Sequence, residues 1–292
     1  MKKDRFSLAA GFAPVIYMGL AIGFEHLLSS GAVKLSSGSI AAGQAVMFAL
    51  PMAFLLAAGK LCGRPAQLRV KKRPRRSLPF VIFMSLTAML AAFLLNCLIS
   101  SIAGSSFYRQ TGYLDYADSI QPLAALLTVV ILPALLEELL FRGALLSAFE
   151  SGGTSAALLL SALAFALAHG NIYNLAGPFA AGLIYGYMTY VLDSVWPAVL
   201  AHGLNNLFFL LLRKWAGGYE TLGFWPYFIL ISFFVFCAML YLSMHSLEKL
   251  VERGKIKRFA GVPLRQAASE LLLAPGIWLL AAVFIVKALY LK

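Results

Sequence analysis

Charged residues are scarce in this sequence of 292 residues. Asp, Glu, Lys and Arg together make up 12% of the chain, whereas soluble globular domains carry about 25%. Hydrophobic residues make up 61%, which is not the composition of a protein whose surface faces water. Several apolar stretches reach the roughly 20 residues that a helix needs to cross about 30 Å of hydrocarbon. The composition therefore predicts an all-α, polytopic membrane protein.

Cysteine is also rare, and neither internal repeats nor low-complexity segments are evident. The three cysteines lie in or beside apolar segments and show no paired spacing: Cys62, Cys97 and Cys237. This pattern argues against a disulfide framework and against a zinc site built from cysteines. Neither long basic loop is large enough to fold by itself, so we expect one continuous membrane domain.

The basic residues that are present cluster in three places. Three precede or open the first apolar stretch, eight lie from Lys60 to Arg76 and six from Lys249 to Arg265, which accounts for 17 of the 24 Lys and Arg residues. The positive-inside rule predicts such clusters for cytoplasmic segments, and anionic lipid headgroups would attract them. We therefore expect the N-terminus and the loops 60–77 and 247–269 to be cytoplasmic. We do not expect nucleic-acid binding, despite the net charge of +12.

Apolar stretches predict about eight or nine membrane helices in the cell membrane. The candidate spans are residues 6–28, 40–60, 78–103, 120–148, 155–170, 175–193, 195–213, 223–246 and 270–290. The first is too long for the apolar region of a cleavable signal peptide, so we interpret it as a span. If successive spans cross the membrane in alternate directions from a cytoplasmic N-terminus, the loop 104–119 lies on the extracytoplasmic side. We divide the membrane domain into N-terminal helices (1–119), a core (120–213) and C-terminal helices (214–292).

Polar side chains at membrane depth are costly and are functional candidates. The first group is Glu137, Glu138 and Arg142, in the same predicted span as Pro133, which should disturb the helix. Glu138 and Arg142 are four residues apart and can pair on one helix face. Glu137 points about 100° away from that face and has no such local partner, which suits a general base. A purely structural ion network is the alternative interpretation.

The second and third groups contain histidine, of which the chain has only four. His169 ends one predicted span, and His202 and Asn206 lie four apart on one face of another. Single histidines are more often packed or interfacial than catalytic, and we interpret His26 and His245 in that way.

A bundle that brings these groups together would contain a base, two proton-carrying side chains and an amide donor. Those groups can activate water and stabilise an oxyanion during amide hydrolysis. Glu137, His169 and His202 could instead bind Zn²⁺ with an open fourth position. However, no His-Glu-x-x-His helix is present, and Asn206 would be a poor zinc ligand.

Taken in order, the three motifs resemble those of the CPBP family, the CAAX protease and bacteriocin-processing proteins, also called the Abi family. The pattern of that family is Glu-Glu-x-x-x-Arg, then Phe-x-x-x-His, then His-x-x-x-Asn. The positions that match are Glu137, Glu138, Arg142, Phe165, His169, His202 and Asn206. The similarity covers about residues 120–213, including the segment Ala-Gly-Leu-Ile-Tyr-Gly-Tyr and the Trp-Pro turn before the last motif.

The resemblance implies an intramembrane endopeptidase that acts on a peptide or membrane-protein substrate. By analogy, Glu137 is the base, His169 positions water or moves a proton, and His202 with Asn206 stabilises the oxyanion. Glu138 and Arg142 order the site. The family has also been described as metalloproteases, so the resemblance leaves Zn²⁺ open; we favour a glutamate-activated water.

Two other classes of function fit some of these features. One is a non-catalytic membrane protein, such as an immunity or scaffold protein that binds a peptide or a membrane partner. The other is a small transporter, although the chain lacks a second copy of the polar motifs. Whether the substrate is a prenylated protein, a bacteriocin or a signalling peptide does not follow from the sequence.

Overall fold

The computed structural model describes residues 4–72, 75–103, 120–216, 223–254, 256 and 269–290. Within these ranges the regular elements are helices, and no strand occurs. The main helices are α1 (Arg5–Ala10), α2 (Ala13–Ser29), α3 (Ser37–Leu61), α4 (Leu78–Ala103), α5 (Pro122–Gly152), α6 (Thr154–Ala168), α7 (Ala176–Leu192), α8 (Trp196–Ala216), α9 (Trp225–Glu252) and α10 (Pro275–Tyr290). This architecture confirms the expected all-α polytopic bundle.

A helix lies at each of the nine expected span positions. In the described part of the chain, six helical segments are long and apolar enough to cross a membrane: α1 with α2, then α3, α4, α5, α7 and α9. Helices α6 and α10 are apolar but shorter, and α8, which carries His202 and Asn206, is not among the six. The chain is therefore a multi-pass membrane protein in which one of the site-bearing helices is more polar than a typical span.

Helix α5 departs from regular α-helical geometry at two places. Leu126–Ile131 and Leu139–Leu145 are π-helical, a rare conformation that is frequent at functional sites. The first of these stretches ends two residues before Pro133, which has no amide hydrogen to donate to an earlier carbonyl. The disturbance expected around Pro133 is thus present as a change of helix type.

Two buried hydrophobic clusters hold the bundle together. One cluster joins α1, α2 and α3 to α5, α6 and α10, and the other joins α4 and α9 to α5, α7 and α8. Helix α4 packs along α7, α8 and α9. Because α5 contributes to both clusters, the middle of α5 lies at the boundary between the two halves of the core.

Residues 64–72, which we call the basic strap, cross the ends of α5 and α7 without regular secondary structure. The Arg69 guanidinium is buried, with Nη2 2.6 Å from Glu150 Oε1 and Nε 3.5 Å from Asp193 Oδ1. Within the basic loop 60–77, Arg69 is therefore enclosed by two carboxylates of the protein, one at the end of α5 and one after α7.

Backbone contacts also attach the basic strap to the core. The indole Nε1 of Trp196, at the start of α8, donates to the Val70 carbonyl at 3.0 Å. A Cβ at Gly143 in α5 would come within 3.2 Å of the Leu68 backbone, so glycine is what permits the strap to lie this close. The basic strap is therefore held against the ends of α5 and α8.

Helix α10 docks through a still closer approach. A Cβ built on Gly276 would lie 2.2 Å from the backbone carbonyl carbon of Gly11, between α1 and α2. Real Cβ atoms do not approach backbone atoms this closely, so any larger residue at Gly276 must displace one of the two segments. This contact sets the position of α10 and of the side chains on its last turns.

We expect Gly276→Ala to destabilise the protein by about 1–3 kcal/mol, the usual cost of overpacking a well-packed contact. The measurement is the midpoint of thermal unfolding in detergent. Gly19→Ala is the matched control, because a Cβ at Gly19 meets no atom within 4 Å and alanine favours a helix. Equal midpoints for Gly276→Ala and Gly19→Ala would contradict this account of how α10 docks.

Candidate functional site

A cavity of about 210 Å³ lies between the two halves of the core. Its wall includes Glu137 of α5, His169 after α6, and His202 and Asn206 of α8. Glu137 is the middle residue of the 31-residue segment α5, so the cavity reaches the central depth of the bundle. Four of the six predicted site residues therefore share one cavity, and the other two, Glu138 and Arg142, lie behind its wall.

Glu138 is fixed by two partners in the interior. Its Oε1 accepts from Arg142 Nη1 at 2.9 Å and from His202 Nδ1 at 2.8 Å. Glu138 and Arg142 are fully buried, which is costly for ions unless they are paired. The pairing expected from the four-residue spacing is present, and it additionally holds the ring of His202.

Space for the Arg142 guanidinium comes from neighbouring helices. Its central carbon lies 3.9 Å from the centre of the Phe165 ring and 5.4 Å from that of Tyr185, distances at which an aromatic face attracts a cation. A Cβ at Gly182 would come within 3.0 Å of Arg142 Nη2. Gly182, the first glycine of the Ala-Gly-Leu-Ile-Tyr-Gly-Tyr segment, is therefore explained by the arginine that it accommodates.

The ring of His202 is held by two aromatic neighbours and by one hydrogen bond. The ring stacks on Tyr185 with a centroid distance of 5.7 Å and meets Phe165 edge-on at 5.6 Å. Because the carboxylate of Glu138 only accepts hydrogen bonds, Nδ1 is the donor. The other nitrogen, Nε2, lies 3.9 Å from Glu137 Oε2, which is too long for a direct hydrogen bond and suits a bridging group.

Glu137 differs from its neighbour Glu138 in its surroundings. Its side chain is 15% exposed, whereas that of Glu138 is not exposed at all, and it lines the cavity. The two adjacent carboxyl groups therefore have separate environments, one ion-paired and enclosed, the other facing the space that a substrate would enter.

His169 lies where α6 ends. Its Nδ1 is 2.8 Å from the Phe165 carbonyl oxygen, which accepts only, so Nδ1 is the donor. The ring is also edge-on to Phe165 at 4.8 Å. A neutral His169 held in this way keeps Nε2 as an acceptor, which suits a group that holds water or receives a proton.

Asn206 compensates for the proline in α5. Its Nδ2 donates at 3.2 Å to the carbonyl of Val129, the oxygen that the missing amide hydrogen of Pro133 would meet in an α-helix. Gln44 Nε2 of α3 donates to the neighbouring Thr128 carbonyl at 2.8 Å. An amide nitrogen carries two hydrogens, so Asn206 still has one to offer to the cavity.

Several polar residues of the cavity did not emerge from the sequence. They come from helices outside the motif-bearing core: Glu25, Gln44, Asn96 and Lys287, together with Asn174 and Asn205. Lys287 Nζ lies 2.7 Å from Glu25 Oε1, and its side chain packs on Gly170, next to His169. In the sequence, Gln44 and Asn96 stand out from this set because each is an isolated polar residue within a predicted apolar span.

The residues considered for Zn²⁺ do not form a ligand set here. In the described ranges, no three His, Cys, Asp or Glu side chains converge in a way that could hold a metal ion. His26 and His245 do not line the cavity.

Comparison with known proteins gives one match. Residues 119–208 match the family model described as type II CAAX prenyl endopeptidase Rce1-like. The matched segment starts just before α5 and ends two residues after Asn206, so it contains all three motifs. The resemblance noted in the sequence is thereby confirmed. No curated protein and no solved structure matches the chain.

We expect Glu138→Gln to lower the free energy of unfolding by about 3–5 kcal/mol, because it leaves the buried Arg142 without its counter-charge. Thermal unfolding in detergent measures the change. Glu137→Gln is the matched control and should stay within about 1 kcal/mol, as expected for a side chain outside such a network. Adding Arg142→Met to Glu138→Gln should recover stability; equal losses in the two glutamine variants would contradict this description.

Proposed function

We propose that this chain, whose residues 119–208 belong to the Rce1-like family of type II CAAX prenyl endopeptidases, is an endopeptidase that hydrolyses a peptide bond within the membrane. The substrate is a membrane-associated peptide or protein. The observation that carries the proposal is the pair of glutamates: Glu138 fixes His202, and His202 Nε2 faces Glu137 across 3.9 Å.

In the proposed mechanism, Glu137 is the general base. A water molecule between Glu137 and the histidines donates a proton to Glu137 while its oxygen attacks the carbonyl carbon of the scissile bond. Nε2 of His169, an acceptor, holds the second hydrogen of the water. Glu137 then returns the proton to the departing amine nitrogen, so that one group serves first as base and then as acid.

The charge that develops on the carbonyl oxygen needs donors that are already in place. One donor is Nε2 of His202 when that nitrogen carries a proton, since Nδ1 is engaged by Glu138. The other is Asn206, which offers the amide hydrogen that Val129 does not use. Glu138 and Arg142 act through His202 and are positioning residues. Oriented donors in a site of low dielectric are worth more than the same donors in water.

The enclosed setting suits peptide hydrolysis in a membrane. The main-chain groups of a substrate helix are hydrogen-bonded to one another, so a scissile bond must be unwound before water can attack it. The cavity wall includes Gln44 and Asn205, whose amide oxygens accept no hydrogen bond from the described residues. These oxygens can accept from main-chain N–H groups that unwinding releases.

Glu137→Gln should reduce cleavage of a peptide library by purified, detergent-solubilised protein by about 10²–10⁴-fold, the usual contribution of a general base. Glu248→Gln is the matched control, because Glu248 of α9 has a side chain that is 71% exposed and does not line the cavity. Full activity in a folded Glu137→Gln protein would assign the base elsewhere. A folded wild type that cleaves nothing in the library would favour the non-catalytic immunity or scaffold function.

Chelation provides an independent test of the glutamate-water mechanism. We expect prolonged dialysis against EDTA to leave the cleavage rate unchanged, since Glu137 and not a metal activates the water. The measurement is the initial rate before dialysis, after dialysis, and after return of Zn²⁺. A loss of activity that Zn²⁺ restores would replace the proposal by a metalloprotease.

A further inference from the structure

The two ends of the bundle are built differently. At one end, which we call the strap face, the basic strap joins the end of α5 to the turn between α7 and α8 through the Arg69 ion pairs. Arg64 adds an ion pair to Asp4 ahead of α1 and donates to the Ser147 carbonyl at 3.0 Å. The strap face thus contains the start of α1 and the ends of α3, α5 and α7.

The cavity lies toward the opposite end, which we call the mouth face. Its wall comes from the last turns of α2 and α10, from the start of α7 and from the end of α6. The residues at these positions are Glu25, Lys287, Pro178 and His169. Each lies at the end of its helix that is remote from the strap face.

The floor of the cavity is closed toward the strap face. Phe141, one turn beyond Glu137 in α5, and Tyr185 in α7 are each 1% exposed. Beyond them, Ser147 Oγ accepts from the Gln67 amide of the strap at 2.9 Å. At the other end, the Glu25 side chain is 60% exposed while its partner Lys287 is 14% exposed, so Glu25 is the exposed member of an ion pair at the edge of the cavity.

The charges on the two faces show which side of the membrane each occupies. Among the described residues, the basic ones at the strap face are Arg5, Lys60, Arg64, Arg69, Lys71, Lys72, Arg75, Arg76, Lys249 and Arg253, whereas those at the helix ends of the mouth face are Lys34, Arg213, Lys214 and Lys287. Basic residues near span ends remain on the cytoplasmic side. The strap face is therefore assigned to the cytoplasm.

From this arrangement we infer that the site is entered from the extracytoplasmic side of the membrane. The inference rests on the proposed endopeptidase function and specifies its substrate class: an exported peptide, or the outer membrane-proximal segment of a membrane protein. A prenylated C-terminus presented from the cytoplasm would meet the closed strap face. The Glu25–Lys287 ion pair is the first pair of charges that an entering segment meets.

Thiol labelling in sealed membrane vesicles tests the direction of entry. Glu25→Cys and Lys34→Cys are each made in a full-length chain in which Cys62, Cys97 and Cys237 are replaced by serine. A chain that keeps only Cys62, which is exposed after α3, marks the strap face. Each protein is treated with a membrane-impermeant maleimide in right-side-out and in inside-out vesicles.

We expect Glu25→Cys and Lys34→Cys to react in right-side-out vesicles and Cys62 to react only in inside-out vesicles. The reverse pattern would overturn the inference, because the mouth would then face the cytoplasm. Reaction of Lys34→Cys from outside without reaction of Glu25→Cys from that side would also overturn it, since the mouth would not be open there. Labelling does not depend on proteolysis, so either result leaves the Glu137→Gln test of the proposed function standing.

Discussion

The double hydrogen bond accepted by Glu138 is the interaction on which the rest of the site depends. One oxygen of this buried carboxylate accepts from Arg142 on its own helix and from His202 on α8, so it joins two helices and sets the orientation of one ring. A buried ion pair is often replaceable by apolar side chains without loss of stability. Stability alone is therefore a weak explanation for the presence of Glu138 and Arg142. The pair also orients the His202 ring so that Nε2 lies opposite Glu137.

Pro133 has a comparable structural effect. Just before Pro133, where α5 changes from π-helical to α-helical hydrogen bonding, Gln44 donates to the Thr128 carbonyl and Asn206 of α8 donates to the Val129 carbonyl. The membrane interior offers no water that could donate to these carbonyls. A side-chain amide of α8 therefore has to lie close to α5 near Pro133. The same asparagine then borders the cavity that contains Glu137. The proline and the third motif are thus parts of one arrangement.

The sequence was sufficient to predict the parts of the site that lie within one helix or one short motif. The pairing of Glu138 with Arg142 follows from helical spacing, and the grouping of His169 and His202 near the acidic pair follows from the short turns between α6, α7 and α8. The contributions of Glu25 and Lys287 could not be predicted in this way. They depend on where α2 and α10 pack, which is set by the backbone approach of Gly276 to Gly11, and no periodic pattern encodes such a contact.

The basic loop 60–77 shows that a cluster of charges in the sequence does not reveal which of its residues pack against the protein. Counting Lys and Arg is enough to assign a segment to one side of the membrane, because that assignment depends on the sum of charges. It does not show that Arg69 is enclosed between Glu150 and Asp193, since those acids lie far away in sequence. The pairing attaches the strap to the helices that carry Glu137 and His202, on the side of the floor away from the cavity. In the proposed direction of entry, a substrate reaches Glu137 past Glu25 without disturbing these ion pairs. The proposal thus links the sidedness of the charges to the choice of substrate.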